Sequence, residues 1–147
     1  MKIIAQNKKA FFDFEILEKF TAGISLFGCE IKSIRAGNVN LKGSFVSLFS
    51  GAPIWKNGHI SPWKFATFQI DPIRERRLLL QKREISKIKK LTADRGISCV
   101  PISIGISPRG FAKLKIAVVR GKKKFDKRAV ERRRELDREA ERKIRKL

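Results

Sequence analysis

Side chains able to do acid, base or nucleophilic work are scarce in this sequence. His59 is the single histidine, tyrosine is absent, and the eight carboxylates of residues 1–120 stand singly among basic neighbours. No Gly-x-Ser-x-Gly, glycine-rich phosphate cradle or metal-ligand spacing occurs. Glu30, followed by Lys32 and Ser33, could be drawn as an acid with its orienting partners, and a solvated helix face explains it more simply. A two-carboxylate or two-metal nuclease needs convergent acids, so binding is expected rather than catalysis, with no metal or cofactor implied. Cys29 and Cys99 lie among apolar neighbours without a CxxC or CxxH pattern. Two buried, reduced thiols in a cytoplasmic protein are the expectation.

What abounds is positive charge. The 35 Lys and Arg against 14 Asp and Glu give a formal charge of +21. Self-repulsion on that scale points to a polyanion as the usual partner. Residues 1–120 hold 22 basic and 8 acidic groups, and residues 121–147 hold 13 and 6. Both parts are therefore expected to touch phosphate. The opening MKIIAQNKKA is too short in apolar residues for a signal peptide, and no apolar run approaches membrane-spanning length. No membrane partner is expected.

The elements that must carry this charge divide at Gly121 to Arg128, GKKKFDKR. Before it, short apolar and basic segments alternate between Gly and Pro, as in a folded domain of residues 1–120. After it, residues 121–147 have too little apolar surface for a core. Phe11 to Leu26 reads as a long strand bent at Gly23. Gly28 to Arg35 reads as a short helix ended at Gly37, with Ile31 and Ile34 inward and its polar residues outward. Ser44 to Phe49 and Ile54-Trp55 form a hairpin through Ser50 to Pro53.

Asn57 to Ile73 loses periodicity. Its Trp63, Phe65 and Phe68, beside Lys64 and His59, either stack nucleotide bases or cap one end of a barrel, and capping is the expectation for most of them. Arg74 to Leu80 sets arginines against leucines. Glu84 to Arg95 then makes an amphipathic helix closed by Gly96. Ile97 to Ser107 and Phe111 to Arg120 pair around a turn at 107–110, the second strand with Leu114, Ile116 and Val118 on a core face and a basic opposite face.

Five or six strands and two helices predict a mainly β fold, a small antiparallel Greek-key barrel of the oligonucleotide-binding (OB) kind. In the tail, Leu136, Ala140, Ile144 and Leu147 share one face of a potential helix. A helix of ~20 residues would span ~30 Å, but so narrow a stripe predicts disorder alone and helix on a target.

Asn7-Lys8-Lys9-Ala10, the bend Ala22-Gly23-Ile24, GCEIKSIRAG at 28–37, Leu78-Leu79-Leu80 with Glu84, Gly121-Lys122-Lys123 and Asp126-Lys127-Arg128 occur in that order and spacing. Over nearly the whole chain this resembles the SsrA-binding protein family, also called small protein B. The resemblance implies a barrel that grips the tRNA-like domain of transfer-messenger RNA, standing in for its missing anticodon arm. It also implies a tail placed in the decoding centre and empty messenger channel of a stalled ribosome, in trans-translation. The implied partners are transfer-messenger RNA, small-subunit ribosomal RNA at the decoding centre and, through the aminoacylated RNA, elongation factor Tu, with the protein acting as a monomer.

The same resemblance maps an RNA-gripping surface onto Leu79 and Lys113, with Asn7, Lys8, Glu30, Lys32, Ser33 and Arg35 as a second tier. Leu79 reads equally well as core, whereas Lys113 belongs to an outer strand face. Glu30 would accept hydrogen bonds from a base or sugar, or orient Lys32 or Arg35. Tail contacts fall on Lys122, Lys123, Lys124, Phe125, Asp126, Lys127 and Arg128, with Ile144 where the family keeps an apolar residue. Phe125 stands where members carry Tyr or His, and keeps stacking without the hydrogen bond. Thr21 replaces a Glu common in the family, and Cys29 a Thr or aromatic. The competing reading is a structural ribosomal or general RNA-binding protein with a similar barrel.

Overall fold

The computed structural model describes residues 1–48, 51–68 and 70–121. The expectations for Phe49 and Ser50, for the tail helix, and for Lys122 to Arg128 and Ile144 lie outside the described residues. In chain order the elements are β1 (Lys2–Gln6), α1 (Lys8–Asp13), β2 (Phe14–Ile24), α2 (Gly28–Arg35), β3 (Val39–Asn40), β4 (Phe45–Ser47), β5 (Ile54–Lys56), β6 (His59–Ile60), β7 (Arg76–Leu79), α3 (Lys82–Thr92), β8 (Ile97–Ile106) and β9 (Ala112–Gly121). Seven strands form one sheet in the order β1-β8-β9-β2-β7-β5-β4, antiparallel throughout, and β3 pairs with β6. Contacts between β4 and β8 show that the sheet curls back on itself, as the expected mainly β barrel requires.

Alternation along β9 builds the inside. Leu114, Ile116 and Val118 are fully buried with Phe20 and Ala22 of β2, Ile104 of β8, Leu78 of β7 and Trp55 of β5. Ile34 of α2 and Ile88 of α3, both at 0 % exposure, join the same core. Each buried aliphatic side chain contributes about 1.5–3 kcal/mol. The stop of α2 is as expected, Gly37 adopting a left-handed φ of 82°, whereas α3 ends at Thr92, three residues before the expected Arg95, and Gly96, also at φ 82°, turns the chain into β8 instead of closing the helix. The hairpin of β4 with β5 and the β8–β9 pair with its turn at Gly110 also form as expected.

The N-terminal third differs from the long strand predicted from Phe11. Residues 8–13 are helical, and the strand begins at Phe14. The cause lies at Asn7, whose side chain donates to the carbonyl of Pro101 (3.0 Å) and whose backbone N–H donates to that of Ile102 (2.8 Å). Those bonds end β1, and Ala10 of α1 packs on Val100, Ile102, Ala117 and Val119 with Phe14 and Ile16. This second cluster corrects the expectation of a basic outer face along all of β9. Only Lys113 and Lys115 keep that face polar, because α1 covers the rest.

The strand's irregularity also sits elsewhere than predicted. The register of β2 against β9 slips between Ile16 and Glu18, while Gly23 is paired on both edges, with Lys113 of β9 and Leu79 of β7. Another slip, between Pro101 and Ser103 of β8, bends the opposite flank. The loop from 57 to 73 includes β6, and its Gly58 lies so close to the Trp55 ring that a Cβ would sit 2.1 Å from it. Phe65 at 75 % and Phe68 at 58 % exposure do not cap the barrel. Cys99 is buried and Cys29 only half-buried, both free. Among the described residues no helix is long and apolar enough to cross a membrane.

Candidate nucleic-acid interface

Gly23 lies opposite Lys113 of β9 on one side and Leu79 of β7 on the other. Its neighbours in the same three strands, Ala22, Leu114 and Leu78, are buried. Strand alternation therefore sends Gly23, Lys113 and Leu79 to the outer face. With strands about 4.8 Å apart, Lys113 and Leu79 stand about 10 Å apart across a residue with no side chain. Leu79 leans over that gap: a Cβ on Gly23 would meet the Leu79 Cβ at 3.3 Å.

Leu79 is 60 % exposed against 2 % for Leu78, which settles the core alternative. The open groove has a volume of about 780 Å³ and is also lined by Thr21, Ser25, Arg77 and Gln81. An apolar side chain, a flexible cation and short polar groups around a floor of backbone suit a ribose or base face beside a phosphate.

Glu30 follows a different logic. At 4 % exposure, its Oε1 accepts from Arg74 Nη2 (2.6 Å) and from the Phe27 N–H (3.0 Å), and its Oε2 accepts from Arg76 Nε (2.7 Å). Arg76, fully buried, also donates to the carbonyls of Gly58 (2.7 Å) and Pro72 (2.9 Å) and lies 5.3 Å from the Trp55 ring centre. Burial pushes the Glu30 carboxyl up, but hydrogen bonds from Arg74, Phe27 and Arg76 and the Arg76 charge outweigh it and hold the pKa below the usual carboxylate value. Burial lowers the Arg76 pKa, with Glu30 opposing. The carboxylate thus joins α2 to β7 and to the loop before it, and its partners are Arg74, Arg76 and the Phe27 N–H instead of Lys32 or Arg35.

The remaining second-tier residues disperse. Ser33 is at 0 % exposure, which with Glu30 corrects the expectation that the polar residues of α2 all face outward. Lys32 is exposed, and Arg35 Nη2 donates to the Gly110 carbonyl (3.1 Å), tying the end of α2 to the turn just before Lys113. Asn7 is buried by its bond to β8, and Lys8 is exposed at the start of α1. Leu79 and Lys113 flank Gly23 on the outer face, and Asn7 lies further along β8, bonded to Pro101. Sequence reasoning missed Arg77 and the roles of Gly23 and Arg76. The signal was the alternation within Arg76-Arg77-Leu78-Leu79, inward, outward, inward, outward.

Burial pushes the Cys99 thiol up to about 12, leaving it protonated and inert at neutral pH. Among the described residues, no three His, Cys, Asp or Glu side chains converge as metal ligands.

Fold and surface together define a class: a strongly basic antiparallel-barrel protein with an open, mixed apolar and cationic groove on its outer face. The model of the SmpB protein family matches residues 4–146, and the chain belongs to that family. It is 48% identical over 145 residues to the SsrA-binding protein of Latilactobacillus sakei subsp. sakei (strain 23K), covering 98% of this chain and 92% of that one. Identity to the SsrA-binding protein of Geobacillus sp. (strain WCH70) is 50%, over 98% and 93% of the two chains. A solved chain described as "tmRNA-SmpB: a journey to the center of the bacterial ribosome" superposes with a TM-score of 0.69 at 39% identity, covering 82% of this chain and 85% of that one.

Proposed function

We propose that this chain binds the tRNA-like domain of transfer-messenger RNA through the groove around Gly23 and brings that RNA to stalled ribosomes for trans-translation. The observation that carries the reading is the juxtaposition of exposed Leu79 with Lys113 across Gly23. Sequence and fold likeness to SsrA-binding proteins and to a tmRNA-SmpB structure supports it. In this reading Lys113 neutralises a phosphate, Leu79 packs on a sugar or base, and exposed Lys32 adds charge beside the same end of the barrel. Glu30, Ser33 and Asn7 hold the surface in shape instead of touching RNA.

The tail, with Lys122 to Arg128 and Ile144, occupies the decoding centre and the empty messenger channel in place of a codon and anticodon. The protein acts in the cytoplasm as a monomer, without catalysis of its own, and meets elongation factor Tu only through the aminoacylated RNA.

Competition among the tRNA-like domain, an ordinary tRNA and a random RNA duplex, at physiological salt, tests the reading. A preference for the first that residues 1–124 retain is the expected outcome. Equal binding to all three would mean that charge alone is being read, and would leave a general RNA-binding protein as the better description.

A further inference from the structure

The groove does not end at Leu79. Ser25, Ala52 and Arg77 line both it and an adjoining hollow of about 420 Å³ that continues to Arg74. There Arg74 Nη2 donates to the Ser25 carbonyl (3.3 Å), and its guanidinium lies over the ring of Phe27, 4.7 Å from the centroid. Phe27 in turn meets Phe68 edge to face, 6.2 Å between centroids at 88°. A T-shaped pair uses the face of only one ring. With Phe27 at 47 % and Phe68 at 58 % exposure, ring surface stays open to solvent.

The burial of Glu30 explains why Arg74 is found here: the carboxylate fixes it, and Arg74 braces Phe27. A second pair on the same loop, Trp63 with Phe65, stands beside Lys64. Of the acids nearby, Glu75 is offset by Lys56 at 3.6 Å, Glu84 of the groove accepts from the Gln81 N–H (3.1 Å), and Asp71 accepts from the Ile73 N–H (3.0 Å). Water-exposed rings backed by a fixed guanidinium, at the end of a cationic track, match the chemistry of an unpaired nucleobase. A base stacks on a ring face while Arg77 takes the neighbouring phosphate.

We infer that the RNA track runs from Lys113 and Leu79 past Arg77 to a stacking platform formed by Phe27 and Phe68, which holds one unpaired base of the bound RNA. This rests on the function proposed above. The test uses the full chain and the tRNA-like domain of transfer-messenger RNA, with Phe27→Leu/Phe68→Leu against Lys113→Ala, titrated at several salt concentrations. Leucine keeps the apolar bulk and removes the ring face. The double variant is expected to bind about tenfold more weakly with an unchanged salt slope, and Lys113→Ala to lower the slope by about one.

A wild-type measurement stands beside it: the same RNA carrying 5-iodouridine in its unpaired positions, irradiated on the unaltered chain, should cross-link within the peptides holding Phe27 or Phe68. Unchanged affinity of the double variant, with cross-links only elsewhere, overturns the platform while leaving the groove intact. Loss of the wild-type preference for this RNA over ordinary tRNA would instead overturn the function itself.

Discussion

A carboxylate held between two guanidiniums, at the depth of Glu30, has no cheap substitute. Removing its charge leaves Arg76 buried and unpaired, so Glu30→Gln is expected to cost about 3–5 kcal/mol at pH 7, measured by denaturant unfolding. The pH dependence has a definite sign. Since the folded pKa lies below the unfolded one, near 4.5, the stabilisation is complete above that value and is lost as pH falls through the folded pKa. Wild-type stability should therefore drop as acid is added below about pH 4.5, and Glu30→Gln should flatten that part of the decline. Lys113 is a different kind of residue, part-exposed on a strand with no acid paired to it in the sheet. Lys113→Ala should leave the unfolding midpoint nearly unchanged and reduce the dependence of log K on log salt by about one for the RNA complex. An unaltered slope would take this lysine off the interface.

At the level of elements, β1 depends on a missing side chain. A Cβ on Gly105 would lie 2.5 Å from the Lys2 carbonyl, a backbone atom that cannot step aside unless the strand does. Gly105→Ala should cost about 1–3 kcal/mol and speed hydrogen exchange across residues 2–7 more than in β9. Protection unchanged there would mean that the edge strand tolerates the shift.

Elements with strong local signals were legible: α2 and α3 from isoleucines at helical spacing before a glycine, β8 from its unbroken apolar run, and β9 from its alternation. The short helix α1 was not, because Phe11 and Phe12 carry β propensity and the bonds that end β1 join Asn7 to residues 94 and 95 positions away. Tertiary partners also decided the site. The family resemblance brought Leu79 and Lys113 under suspicion, but the burial of Glu30 depends on Arg74 and Arg76, 44 and 46 residues away, which local periodicity does not encode.

At the scale of the molecule, positive charge is spread over two parts that the proposed function uses separately. Cutting the chain after residue 124 is expected to preserve affinity for the tRNA-like domain within about threefold and to abolish rescue of stalled ribosomes in a reconstituted translation assay. Parallel loss of both would show that tail and barrel share one RNA site. The strand that joins the parts is β9, whose neighbours β2 and β8 each carry a register slip on either side of it. Lys113 stands near its beginning and Gly121 at its end, where it pairs with Phe14. Eight residue steps of extended chain separate them, about 27 Å. Hydrogen-bonded along both edges, β9 is a ruler: it fixes how far residue 121 lies from the groove beside Lys113, whatever occupies that groove. A longer tail could extend the protein's reach, but only a change in the barrel itself could alter where that reach begins.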